Sequence, residues 1–146
     1  MSLQTDSAFI AAINSSKELT KKIGSRIYST FINEPKQGEL NRIIPYILVT
    51  FDGAVNTADY KDLDDHEGPE DTVTVTVELT AKTRQQLADI ATLTRRVIRQ
   101  YFNRHDDDPE TPSDYSLQAS AVNHDDDAPC YWQTLTYECI TQANND

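Results

Sequence analysis

Between Asp71 and Tyr101 a strictly alternating segment runs straight into a capped amphipathic helix, and this pairing constrains the fold more than any other feature of the chain. Val73, Val75, Val77, Leu79 and Ala81 alternate with Thr72, Thr74, Thr76, Glu78 and Thr80. Period two with β-branched residues throughout is the pattern of a strand with one apolar face. Thr83-Arg84-Gln85-Gln86 follows as a Thr-x-x-Gln capping box, which starts a helix by satisfying its first backbone N–H groups. From there Leu87, Ile90, Ala91, Thr94, Val97, Ile98 and Tyr101 recur at helical spacing. The patterns together predict a one-faced sheet covered by a one-faced helix.

The remaining segments extend that plan. Thr5 or Asp6 can cap an N-terminal helix carrying Phe9, Ile10 and Ile13 on one stripe. Ser15-Ser16-Lys17-Glu18 reads as a second capping box, so the helix breaks and restarts there, with Leu19 and Ile23 continuing the stripe. Lys21 and Lys22 suit its negative C-terminal end, and Gly24 suits the position just beyond. Residues 26–31 read as a strand, and 34–38 as a turn. Pro45 to Phe51 is apolar on both parities, which predicts a central strand buried on both faces, or a sheet packed between two layers. Residues 54–70 form a polar loop of seventeen residues, long for a compact domain. After the helix, residues 114–122 and 131–140 alternate as two further strands, separated by a turn at 124–129. On the last strand Tyr131, Leu135, Tyr137 and Cys139 share one face, with Trp132 and Ile140 on the other. The expected fold is α+β: a mostly antiparallel sheet of about five strands, with an N-terminal helix and one long helix packed on it. The chain is expected to form a single domain over 1–146, flexible at 1–6, 54–70 and 141–146.

Charge narrows the functional classes. With 24 Asp and Glu against 13 Lys and Arg, the net charge is −11, which disfavours general binding to nucleic acid or to an anionic membrane. The charges are also segregated. Acidic residues crowd the loops at Asp59, Asp62, Asp64, Asp65, Glu67, Glu70 and Asp71, then at 106–108 and 125–127. Basic residues gather on the long helix at Arg84, Arg95, Arg96 and Arg99, with Arg104 just past it. Such a surface suits contact between copies of one chain, and equally describes a solvated helix face beside solvated loops. No apolar run reaches about 18 residues, so no membrane span is expected, and the N-terminus does not read as a signal peptide. Cys130 and Cys139, if both lie on the last strand, stand roughly 30 Å apart at ~3.3 Å per residue. They therefore cannot bridge each other, and a reduced, cytoplasmic protein is expected.

No motif points to catalysis. The two His-Asp-Asp-Asp turns at 105–108 and 124–127 offer oxygen ligands, but not the alternate spacing of a calcium loop, and read as solvated turns. His66, His105 and His124 neighbour no nucleophile motif. With four glycines there is no phosphate-cradling loop, and the two cysteines lack zinc-ligand spacing. No enzyme activity, metal or cofactor is expected. Tyr115, Tyr131, Trp132 and Tyr137 pack the sheet or serve as interface anchors.

Taken in order, the segments resemble the tail-completion proteins of long-tailed phages and prophages, the tail terminators and head–tail joining proteins. The resemblance rests on an N-terminal helix leading to Gly24-Ser25-Arg26-Ile27-Tyr28, a Pro45-Tyr46-Ile47 strand and a polar loop. It continues through the Val73–Glu78 strand, passing by Thr83-Arg84 into a helix that ends Val97-Ile98-Arg99-Gln100-Tyr101, and two closing strands. It spans residues 7 to 141 and is one of order and spacing; the acidic His-Asp-Asp-Asp turns have no place in it. The resemblance implies a structural role without catalysis: a homo-oligomeric ring, often hexameric, that ends the tail tube and meets the head connector. Its implied location is the host cytoplasm during assembly and then the virion tail. A closed ring needs two different complementary surfaces. Arg95, Arg96 and Arg99 could supply one, and the acidic loop with Asp59, Tyr60, Asp62, Asp64 and Asp65 the other. An acidic ring lumen would also repel passing DNA. The alternative reading, from the charge alone, is an acidic protein-binding or inhibitor module that mimics a nucleic acid or blocks a basic partner.

Overall fold

The computed structural model describes residues 5–29, 43–56, 70–112, 114–125 and 130–142. Among them two short helices, α1 (Thr5–Ser15) and α2 (Lys17–Ile23), precede β1 (Ile27–Ser29) and β2 (Tyr46–Asn56). Next come β3 (Glu70–Ala81), the long α3 (Arg84–Arg104), β4 (Asp114–Ala119), β5 (Asn123–Asp125) and β6 (Cys130–Gln142). The fold class is α+β, as the patterning predicts, with six strands in one sheet rather than about five.

The sheet order is β1-β2-β3-β6-β4, with β5 pairing β6 beyond the end of β4. Among the described strands β1–β2 is the parallel pair and the other pairs are antiparallel. The centre is the β3–β6 ladder, which runs from Glu70↔Gln142 to Ala81↔Tyr131. This ladder sends Val73, Val75, Val77, Leu79, Leu135, Tyr137 and Cys139 to one face, and all of them are buried. The helices cover that face, α1 over β2 and β3, α3 over β3 and β6. The core closes with Phe9, Ile13, Leu19, Ile23, Ile47, Val49, Leu87, Ile90 and Ile98.

Local chemistry sets the element ends. Thr83 caps α3 by accepting from the Gln86 N–H at 3.1 Å, and the Gln86 side chain accepts from the Lys82 N–H at 3.0 Å. The break between α1 and α2 falls where predicted, but the cap is Ser16, which accepts from Leu19 N–H. The predicted Ser15 box does not form; the Ser15 hydroxyl donates instead to the Ala12 carbonyl. Gly24 ends α2 at φ 62°, a conformation that costs a residue with a Cβ. Within β2 the register slips between Phe51 and Gly53, leaving Asp52 as a bulge that accepts from the Thr76 hydroxyl. Gly53 takes φ 141° there, which favours glycine although the space beside it is open.

Four expectations need correction. β2 is not buried on both faces: Ile47 and Val49 are covered, whereas Tyr46, Leu48 and Thr50 on the other face remain half-buried, because no described helix lies there. The 54–70 loop is shorter at both ends, since β2 runs on to Asn56 and β3 already begins at Glu70. The 114–122 strand stops at Ala119, and His124 and Asp125 belong to β5 rather than to a turn. The last strand continues through Gln142, beyond the predicted end at Ile140. The predicted helix stripe gains Leu93 and Phe102, both buried, while Tyr101 is only partly covered. The 34–38 turn, the Thr5 and Asp6 cap side chains and the terminal stretches fall outside the described residues.

Candidate interaction surface

Burial of Leu87, Ile90, Ala91, Thr94, Val97 and Ile98 against the sheet fixes the rotation of α3. At 3.6 residues per turn, Arg95 and Arg99 then fall one turn apart on the side toward β4. Arg96, one residue further round, turns toward α2, where its guanidinium donates to Glu18 at 3.3 Å. With both partners largely exposed, this bridge is worth at most about 1 kcal/mol. It nonetheless occupies one of the three predicted interface arginines within its own chain. The other predicted partners, Asp59, Tyr60, Asp62, Asp64 and Asp65, fall outside the described residues.

A groove of about 340 Å³ opens beside these arginines, lined by Thr92, Arg95, Arg96, Arg99, Tyr115, Leu117 and Tyr137. Its origin is the mismatch between layers. The helices lie over β2, β3 and β6, and the sheet continues one strand further, to β4. Tyr115 and Leu117, opposite Cys139 and Tyr137 on β6, face the helix layer but remain half-buried. The floor is thus aromatic and aliphatic, the wall cationic. Beyond the groove, β4 pairs with no further strand among the described residues. An antiparallel edge strand leaves alternate N–H and C=O groups directed outward.

The aromatics of the floor interlock with those of the core. Phe9 meets Phe102 edge-on with ring centroids 5.0 Å apart, and Tyr137 at 4.9 Å. Tyr115 packs against Phe102 at 5.7 Å and against Tyr137 at 5.6 Å. Such pairs each add about 0.5–1.5 kcal/mol beyond area burial. Burial raises the Tyr115 hydroxyl's pKa, opposed by the positive charge of Arg99. Burial and Tyr115 likewise raise Tyr137, with Arg95 opposing. Both phenols therefore stay neutral beside the arginines.

The two cysteines are held as thiols. Burial pushes the Cys139 thiol up to about 12 and raises Cys130 as well, so neither supplies a thiolate near neutral pH. Both are free thiols on β6. His105 stacks on Tyr101 at 3.9 Å, with its Nδ1 2.9 Å from the Tyr101 carbonyl, at the end of α3. His124 rests against Tyr131. Asp106, Asp107 and Asp108 are exposed, and among the described residues no three His, Cys, Asp or Glu side chains converge as a metal site. His66 lies outside the described residues. Of the residues lining the groove, charge clustering draws attention to Arg95 and Arg99, whereas Thr92 and Leu117 join them through the overhang of β4, which periodicity does not encode.

No family model matches the chain, and no curated protein matches it. Among solved structures it is similar to a chain of the virion of a native gene transfer agent particle, at 10% identity and a TM-score of 0.54. The match covers 94% of each chain, so the likeness is one of whole fold.

Proposed function

We propose that this chain is a structural protein of a phage-type virion, acting without catalysis or cofactor. Its specific role is tail completion: a homo-oligomeric ring at the end of the tail tube that joins it to the head connector. It assembles in the host cytoplasm and remains in the virion tail. The observation that carries the reading is the fold likeness to a virion chain along 94% of both sequences. The segment order that resembles tail-completion proteins points the same way. The cationic groove beside an open sheet edge fits a protein whose work is contact with other copies and other subunits.

Polymerising tail-tube subunits with and without the purified chain tests this. Tubes that stop at a set length and carry a ring of density at one end are the expected result. Tubes that elongate unchanged, with no added density, overturn the role. A tight, salt-sensitive complex with a basic protein under those conditions would instead favour the acidic binding module that the −11 charge also allows.

A further inference from the structure

We infer that the groove between α3 and β4 receives the acidic segment 59–71 of a second copy of this chain. The inference rests on the reading of the protein as a self-assembling structural subunit, and it specifies the surface involved.

Charge complementarity selects this occupant. Arg95 and Arg99 form one wall of the groove and are exposed, without an ion pair to a described carboxylate. The floor is Tyr115, Leu117 and Tyr137, of which Tyr137 is buried beneath α1 while Tyr115 and Leu117 stay half-buried and offer an apolar shelf. A fitting ligand therefore carries closely spaced carboxylates together with apolar side chains. Residues 59–71 hold Asp59, Asp62, Asp64, Asp65, Glu67, Glu70 and Asp71 against a single Lys61, with Tyr60 and Leu63 interspersed. Carboxylates at Asp62, Asp64 and Asp65 suit Arg95 and Arg99, and Tyr60 and Leu63 suit the shelf. Arginine is the cation suited to such bidentate contact with carboxylate. The segment joins β2 to β3, and the groove borders β4, which two strands separate from β2 in the sheet order. The groove and the acidic segment thus belong to different parts of the chain, and a head-to-tail contact pairs two different surfaces in this way.

The test is a charge swap read by mass. Light scattering or sedimentation at about 50 mM salt, where screening is weak, follows the full chain and three variants. These are Arg95→Glu with Arg99→Glu, then Asp62→Lys with Asp64→Lys and Asp65→Lys, then all five together. Arg96 is left intact because it is held by Glu18. The native chain is expected to self-associate, each one-sided variant to lose at least tenfold in association constant, and the five-fold variant to regain it. Circular dichroism confirms that the variants, altered at exposed positions or in the acidic loop, remain folded. A native chain monomeric up to about 1 mM overturns the inference, since that leaves a contact weaker than about 4 kcal/mol. Self-association that none of the variants alters overturns it too, by assigning assembly to another surface. Both outcomes are independent of tube capping, so the groove and the tail role can fail separately.

Discussion

Thr94 offers a sharp test of the helix rotation that brings Arg95 and Arg99 to the groove. Its side chain is fully buried under α3, and its hydroxyl oxygen has no hydrogen-bond partner among the described residues. An unsatisfied buried hydroxyl costs about 1–3 kcal/mol. Thr94→Val keeps the shape and the β-branch, leaves helix propensity nearly unchanged, and replaces the orphan oxygen with a methyl. The variant should be more stable by about 1–3 kcal/mol. Unfolding entropy of about 2.1 cal/mol/K per residue over 146 residues converts each kcal/mol into about 3 °C, so the melting temperature should rise by about 3–10 °C. Thr94→Ser, which keeps the hydroxyl and deletes the methyl, should move the other way. Calorimetry and urea titration of the three proteins decide the matter. A Thr94→Val protein no more stable than the native chain would refute the reasoning, because the hydroxyl would then be paired or in water. A hydroxyl in water would mean a different rotation of α3 and would remove the geometric basis for the groove, whereas one donated to a carbonyl a turn back along α3 would leave the rotation intact.

Phe9→Ala should cost about 3–5 kcal/mol, because the ring is fully buried between Phe102 and Tyr137; a loss below about 1 kcal/mol in urea titration would mean that α1 does not seal the core. Glu78, on the uncovered face of β3 opposite Leu48 and Thr134, has its pKa raised by burial above the ordinary 4.5. The fold therefore favours the protonated acid: that contribution is complete below about pH 4.5 and is lost as pH rises through the folded-state value. Glu78→Gln should accordingly raise the melting temperature at pH 7, with the difference shrinking toward pH 4.5; a difference that stays constant across this range contradicts the desolvation.

The open face around Glu78 has a consequence for assembly. Thr80 is buried in the row Tyr46–Thr80–Trp132, while Thr72, Thr74 and Thr76 along the same strand are half-exposed. Among the described residues no helix covers the sheet's outer face and no strand pairs with the β4 edge, whereas the inner face is spent on folding.

What the sequence by itself determined is what depends on near neighbours along the chain. Alternation at 72–81 specified which side chains of β3 enter the core, the Thr83 cap set the start of α3, and Gly24 set the end of α2. These outcomes follow from periods of two and 3.6 and from hydrogen bonds spanning three or four residues. The clustering of arginines at 95–99 was equally legible, because helical spacing alone puts Arg95 and Arg99 on one side. Tertiary structure decided the rest. The capture of Arg96 by Glu18 joins residues 78 positions apart, and no local pattern carries it. The half-burial of one face of β2 depends on how the described helices lie on the other face, so an apolar run on both parities suggests deeper burial than the strand has. The division of 114–125 into β4 and β5 is set by register against β6. The groove itself exists because the sheet extends one strand beyond the helices, a relation between layers, whereas a sequence pattern describes one element at a time.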